Sequence, residues 1–211
     1  LQAKPKLMDL FTNDASMQMK IQIDKDVLAN TFNQGDASNQ GATAGAISGG
    51  YNLGTDAAPV ALSASNILQS ITALSSVLDE ANVPETDRWL IITPTERQIL
   101  MQSNLAQAQF MGDASSVLRN GKIGQVDRFT VYVSNLLPSQ SGVAGEGSDS
   151  SVKAFNVYAG TRDAITFASQ ITKVETLRST STFGNLVRGL NVYGYKVIKP
   201  EALVEGFFYA G

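Results

Sequence analysis

The 211-residue sequence contains neither cysteine nor histidine. The absence of cysteine excludes disulfides, zinc–thiolate sites and cysteine nucleophiles, and it leaves the redox compartment undetermined. The absence of histidine removes the commonest general base, the Ser-His-Asp arrangement and most transition-metal sites. These absences remove the commonest catalytic and metal-binding side chains, and our prediction for the sequence is no catalytic residue, no cofactor and no metal site.

Charged residues are also scarce, at 17% of the sequence against roughly 25% in typical globular domains. Uncharged polar residues fill the gap, which suits extensive contact with other protein surfaces. The net charge is −3 and the basic residues do not form a cluster. Any contact with nucleic acid is therefore expected to be weak and non-specific.

Long apolar runs are missing as well. No run approaches the roughly 18 residues of a membrane span, so no membrane contact is expected, and no signal peptide is visible. The sequence begins with Leu1 rather than methionine, which we interpret as a fragment, a processed product or a trimmed chain.

The clearest local pattern lies in residues 63–94. Apolar residues recur there at helical spacing, and polar residues occupy the opposite face. The apolar set is Ile67, Ile71, Leu74 and Leu78. Pro84 cannot continue the helix and pushes Val83 out of the helical region, so the helix is predicted to end there.

A strand and a second helix are predicted directly afterwards. The run WLII at 89–92 is continuously apolar, as expected for a short strand covered on both faces. Thr93, Pro94 and Glu96 are spaced as an N-cap, a first helical residue and the glutamate of a capping box.

The first 59 residues are less clear. Residues 7–32 contain no glycine or proline, and their apolar residues fit either one helical face or, around Met17 and Ile21, an alternating strand. Their length and composition favour a helix of about six turns. Residues 33–59 hold six glycines and are predicted to be a poorly ordered surface loop.

The remainder predicts an α+β protein. We expect strands at 125–134, 155–159, 171–177 and 190–199, and helices at 94–103 and 162–169. A turn is predicted at Asn120-Gly121 and a flexible loop at 139–151.

Two carboxylate groups are the candidates for chemistry. One is Asp79, Glu80, Glu85 and Asp87; the other is Glu146 and Asp149. A glycosidase-type pair or a hard-cation site is conceivable for such groups. Solvated turns explain both groups better.

Phosphate and base-binding patterns are weak. Ile123 follows Gly121-Lys122 where a phosphate loop needs serine or threonine, and the glycines of 49–54 do not follow a strand. The aromatic residues near the C-terminus could stack on bases, but packing in a core or interface is the better interpretation. These residues are Tyr193, Tyr195, Phe207 and Phe208.

Several segments resemble the major capsid proteins of tailed bacteriophages. They are VPE at 83–85, RWLIITP at 88–94, LRNGKIG at 118–124, FTVYVSNLLP at 129–138, FA at 167–168, VETLR at 174–178, Phe183, RGL at 188–190, VYG at 192–194 and KPEAL at 199–203. Their order and spacing, over most of residues 63–204, carry the resemblance.

The resemblance implies the Hong Kong 97-type capsid fold. Residues 1–62 would form a peripheral lobe with a spine helix and the glycine-rich linker, residues 63–174 a mixed α/β axial lobe, and residues 175–211 would return to the antiparallel sheet of the peripheral lobe. On this basis 7–32 is a helix rather than a strand. Family members carry an N-terminal arm and an extended loop before the spine helix, and we expect this chain to lack both and to stay monomeric or in small oligomers.

The implied function is structural. Subunits would assemble into the pentamers and hexamers of an icosahedral phage head around double-stranded DNA, made in the cytoplasm of a bacterial host. Further partners would be scaffolding, portal or decoration proteins. The subunit interface would include the axial loop with Ser139, Gly142, Gly145, Glu146 and Asp149. Alternatives are an encapsulin-type bacterial shell protein and a carboxylate-dependent carbohydrate-active or binding domain.

Overall fold

The computed structural model describes residues 5–103, 124–141, 153–178 and 185–211. The helices in these ranges are α1 (Pro5–Asn30), α2 (Ile67–Glu80) and α3 (Pro94–Gln102). The strands are β1 (Val60–Leu62), β2 (Arg88–Ile92), β3 (Gln125–Val126), β4 (Phe129–Val133), β5 (Ser139–Ser141), β6 (Lys153–Thr161), β7 (Ile165–Arg178), β8 (Asn185–Val197) and β9 (Leu203–Ala210). The predicted α+β class is confirmed.

The strands form two sheets. Seven strands make a mixed sheet in the order β1-β9-β6-β2-β4-β3, with β5 paired to β6. Within it β2 runs parallel to β4 and antiparallel to β6, and β1 runs parallel to β9. The long strands β7 and β8 form a separate two-stranded sheet. The chain therefore builds one broad sheet and one long hairpin.

The main core lies between the seven-stranded sheet and α2. The predicted apolar face of α2 is buried, and it packs in one cluster with residues of β2, β6 and β9. The buried members include Ile67, Ile71, Leu74, Leu78, Leu90, Val157 and Phe208. Each such side chain contributes about 1.5–3 kcal/mol by leaving water.

The link from β2 to α3 has the predicted geometry. The Thr93 hydroxyl accepts a hydrogen bond from the Glu96 N–H at 3.2 Å, and the Glu96 carboxylate accepts one from the Thr93 N–H at 2.7 Å. Pro94 is the first helical residue. The capping box is thus confirmed. In β2 one face is buried and the other, with Trp89 and Ile91, is half-buried.

The N-terminal segment is helical, and the alternative of a strand is wrong. Residues 6–34 contain no proline or glycine to interrupt it. After α1 ends at Asn30, Asn33 takes a left-handed conformation (φ 59°) that turns the chain away.

The glycine-rich segment is packed rather than poorly ordered, which corrects the prediction for 33–59. Ala44 and Leu53 are fully buried, and Ala44 exchanges backbone hydrogen bonds with Tyr51 at 2.8 and 3.0 Å. Gly54 has φ +80°, and a Cβ there would lie 2.5 Å from the Phe207 carbonyl oxygen. Glycine permits a close approach to β9.

Two further predictions are corrected. Residues 162–169 are not a helix: a turn closed by Ala164 N–H to Thr161 C=O (3.1 Å) leads directly into β7. Residues 125–134 are not one strand, because Asp127 has φ 53° and reverses the chain between β3 and β4. Residues 139–141 of the predicted loop form β5. The predicted turn at 120–121 lies outside the described residues.

Candidate subunit-contact surfaces

The hairpin β7–β8 is the most exposed part of the sheet structure. Its register runs from Ile165 opposite Val197 to Arg178 opposite Asn185, with an irregularity between Ile171 and Lys173. At about 3.3 Å per residue, the 13 residues of β8 span roughly 43 Å. An isolated two-stranded hairpin is only marginally stable in water, so its surroundings decide its stability.

One face of the hairpin is directed at α1. The Tyr193 hydroxyl donates to Asp26 Oδ2 at 3.0 Å, and the Tyr195 hydroxyl lies 3.2 Å from both Asp26 Oδ2 and the Asp26 carbonyl oxygen. The Tyr193 ring stacks on Phe167 and on Tyr195, with centroids 6.2 and 6.5 Å apart. The hydrogen bond to Asp26 raises the pKa of Tyr193. These tyrosines serve internal packing, and Phe207 and Phe208 are buried in the core.

The opposite face of the hairpin carries apolar side chains in solvent. Exposure alternates along residues 191–198, so every second residue of β8 faces away from α1. Leu177, Leu190 and Val192 are 42%, 58% and 52% exposed. Arg188 and Glu175 form an ion pair of 2.7 Å across the strands. We call the exposed set Leu177, Leu190 and Val192 with this ion pair the outer hairpin face.

The outer hairpin face is bordered by open strand edges. In the described part of the chain, β7 and β8 pair only with each other, so no other described strand lies along their outer edges. Long edges of this kind are templates for a further strand or chain. Exposed apolar side chains beside such edges make this face a candidate contact surface.

A second exposed surface is the middle of α1. Residues 13–22 are all exposed, and they include the apolar side chains of Met17, Met19 and Ile21. A helix without tertiary packing is marginal in water. We therefore expect another protein surface to pack against this stretch as well.

The helix α1 is anchored to the seven-stranded sheet near its C-terminal end. The buried Glu205 of β9 accepts backbone N–H bonds from Asn33 (2.8 Å), Gln34 (3.2 Å) and Gly35 (3.1 Å). The Tyr158 hydroxyl of β6 donates to the Leu28 carbonyl at 3.0 Å. Burial raises the pKa of Glu205, opposed by its three N–H donors, and burial also raises the pKa of Tyr158. These contacts fix where α1 leaves the sheet.

The predicted carboxylate group near the end of α2 forms internal contacts. Asp79 pairs with Arg88 at 2.7 Å and with Arg128 at 3.1 Å, and Arg128 also pairs with Glu85 at 3.2 Å. Glu80 instead accepts N–H bonds from the glycine-rich segment. The arrangement matches charge pairing at a helix end better than acid–base chemistry.

Little of the second carboxylate group can be located. Glu146 and Asp149, like Gly142 and Gly145, lie outside the described residues, and Ser139 is an exposed residue of β5 opposite Phe155. Within the described ranges, no three acidic side chains come together in a way that could hold a metal ion. None of the helices in those ranges is long and apolar enough to cross a membrane.

Sequence reasoning missed the outer hairpin face. Leu190 and Val192 alternate with Asn191 and Tyr193, and the pattern predicted the strand without showing which face would be covered. The available signal was that the two faces of this long strand carry different types of residue.

The fold is that of phage capsid proteins. A structure from Mycobacterium phage Che8 superposes with a TM-score of 0.65 and 24% identity, over 94% of this chain and 61% of that one. The capsid structure of Cyanophage P-SCSP1u gives a TM-score of 0.58 and 17% identity, over 100% of this chain and 67% of that one. The capsid of Ralstonia phage GP4 gives 0.51 and 13%, over 84% and 54%. No curated protein matches the chain in sequence.

The family is shown by sequence. The sequence pattern of the phage capsid protein family matches residues 4–206, and the chain belongs to that family. The expected Hong Kong 97-type α+β capsid fold is confirmed. Membership makes the chain a structural component of a virion, and it favours neither the encapsulin nor the carbohydrate-active alternative. The chain spans 61% of the length of the Che8 chain that it matches.

Proposed function

We propose that the chain is a subunit of an icosahedral phage head that self-assembles into pentamers and hexamers around double-stranded DNA. The observation that carries this proposal is the family match over residues 4–206. The function is association rather than catalysis. Repeated heterologous contacts close into rings when the rotation between neighbours allows it.

The outer hairpin face and the exposed middle of α1 support this mechanism. Both present apolar side chains to solvent, and covering them with neighbouring copies would supply the packing that a two-stranded hairpin and a bare helix lack. Interfaces of this kind gain energy from area and repetition. The net charge of −3 fits weak, non-specific contact with packaged DNA.

The division into lobes remains part of the proposal. We propose a peripheral lobe at 1–62, an axial lobe at 63–174 and a return to the peripheral lobe from 175. We propose one change to this division: residues 203–210 join the axial lobe, because β9 pairs with β6. The loop 139–151, with Ser139, Gly142, Gly145, Glu146 and Asp149, would then lie near the capsomer axis and contribute to the subunit interface.

Further partners are also proposed from the family. Scaffolding, portal or decoration proteins would bind the assembling shell, and assembly would take place in the cytoplasm of the bacterial host. Each of these partner proteins would bind to the surface of the shell and not in a small-molecule pocket.

The test compares assembly of the full-length natural protein with that of L190K/V192K, which places two cations on the outer hairpin face. Assembly is followed by light scattering, which gives the mass, and by electron microscopy of the products. The natural protein should form rings or shells, and the critical concentration for assembly of the variant should be at least tenfold higher. The reason is that losing a buried apolar anchor and burying a charge each cost over ~1.4 kcal/mol. The matched control is Ile47→Lys, which changes an 81% exposed residue outside both surfaces.

The outcomes separate two parts of the proposal. A natural protein that stays monomeric at every concentration and salt would contradict self-assembly itself. Normal assembly by L190K/V192K would remove the outer hairpin face from the interface and leave self-assembly standing.

A further inference from the structure

The first turn of α3 holds a buried carboxyl group, and only one of its two oxygens has a hydrogen-bond partner. Glu96 is 2% exposed. One oxygen, Oε2, accepts the Thr93 N–H at 2.7 Å. The other, Oε1, is buried and has no hydrogen-bond partner. Buried polar atoms are almost always paired, so this oxygen needs an explanation.

A small apolar cavity adjoins this group. Its volume is about 10 Å³, and Glu96 lines it together with residues of α2 and four strands. The other lining residues are Leu62, Ile67, Ser70, Ile71, Leu74, Leu90, Ile92, Val157 and Phe208. A cavity must offer about 10–15 Å³ and two or more polar partners to hold one water. This one has the minimum space and few polar atoms.

The residues that line the cavity together with Glu96 carry no charge. The lining residues contributed by α2, β1, β2, β6 and β9 are all uncharged, and Ser70 is the polar one among them. Arg97, the charged neighbour on α3, is not part of the lining. Burial raises the pKa of Glu96 to about 7, although the hydrogen bonds from Thr93 oppose the shift. Desolvation favours the neutral acid.

We propose that Glu96 is a proton-binding site that controls the packing of α3 against α2 and the sheet. The neutral acid fits the apolar cavity and keeps the capping box closed. Loss of the proton leaves a charged oxygen against apolar side chains, so water enters or the first turn of α3 loosens. The site is independent of the proposed shell function, because it lies within one chain.

The first test follows stability across pH. The pKa of Glu96 is about 7 in the folded chain, against 4.5 for the ordinary carboxyl of an unfolded chain, so Glu96 binds more protons when folded. Its contribution to stability is fully present below about pH 4.5 and is lost as the pH rises through about 7. Between pH 5 and 8 this group should raise the unfolding constant by ~70-fold. Glu96→Gln retains a capping-box residue and should remove that component from denaturant unfolding curves.

The matched control is Glu201→Gln, which neutralises an exposed glutamate and should leave the pH dependence unchanged. Equal pH slopes for the natural protein and Glu96→Gln would overturn the proposal. If Glu96→Gln does not fold, carbon-13 NMR of the Glu96 carboxyl in the natural protein decides. Titration near pH 7 supports the proposal, and titration at or below about 4.5 overturns it.

Discussion

Arg88 shows how one residue can join three segments. Its side chain is fully buried. Nη2 donates to Asp79 Oδ1 and to the Val83 carbonyl, both at 2.7 Å, and Nε donates to the Pro84 carbonyl at 2.9 Å. The guanidinium thus ties the end of α2 and the following turn to the start of β2. A planar group with five donors suits this role better than lysine.

Replacing Arg88 by methionine should cost about 3 kcal/mol or more of unfolding free energy. The variant keeps the volume of the side chain but leaves buried carbonyl oxygens unpaired, and each such group costs about 1–3 kcal/mol. Denaturant unfolding measures the change.

The matched control for Arg88 is Arg128→Met. Arg128 binds the same Asp79 but its side chain is 40% exposed, so its loss should cost at most about 1 kcal/mol. Similar losses for the two variants would show that the ion pair with Asp79, rather than the buried carbonyl contacts, carries the stability.

At the scale of elements, the segments with local signals were predictable. In α2, β2 and α3, the apolar period, Pro84 and the Thr93–Glu96 spacing act over a few residues, and the structure has all three elements. Residues 162–169 failed because β7 is stabilised by β8, whose pairing partners lie as far as 32 residues away in the sequence (Ile165 with Val197). Long-range pairing overrides local capping signals.

The glycine-rich segment failed for a related reason. Its order comes from tertiary contacts with α2 and β9 that composition does not reveal. Glu80 at the end of α2 accepts the N–H groups of Ile47 and Ser48, both at 2.9 Å. Gly45 is placed so that a Cβ would lie 2.8 Å from the same carboxylate. The carboxylate therefore takes the space that a side chain would need.

Glu80→Ala should release residues 44–50 while leaving the core intact. Hydrogen exchange should show loss of protection at the Ile47 and Ser48 amides, with little change at β6. Hydrogen bonds from Ser48 and Ile47 lower the pKa of Glu80, so the contact is complete above about pH 4.5 and is lost as pH falls through the lower folded value. Glu85→Ala is the control, and equal effects on residues 44–50 would contradict the assignment.

At the scale of the whole molecule, the described residues comprise a packed sheet, a long hairpin and the helix α1. The sheet with α2 and α3 has its own core, whereas residues 13–22 of α1 and residues such as Leu190 and Val192 of the hairpin are exposed. The sequence predicted that α1 is a helix but could not show that its middle is bare. Coverage depends on neighbouring molecules, which under the proposed function are other copies of the chain.

The junction between α1 and the sheet depends on Glu205 and on the aromatic pair Phe32–Phe207, whose rings meet edge-on at 5.4 Å. Asn39 adds hydrogen bonds from its side chain to the carbonyls of Glu201 and Leu203 at 2.7 and 3.2 Å. The turn after α1 is therefore fixed along the 200–205 segment by backbone and side-chain contacts together.

Glu205→Gln should loosen this junction without unfolding the core. A carboxylate accepts all three N–H groups of residues 33–35, whereas an amide directs its own N–H donors at one or two of them. The expected loss is about 2–3 kcal/mol, the range for hydrogen bonds to a charged group. Hydrogen exchange should rise first in α1 and at residues 33–35, ahead of β2 and β6. Glu201→Gln, an exposed neighbour, should leave all these amides unchanged. Exchange that rises uniformly through the sheet and α1 in Glu205→Gln would mean that the junction and the core unfold as a single unit.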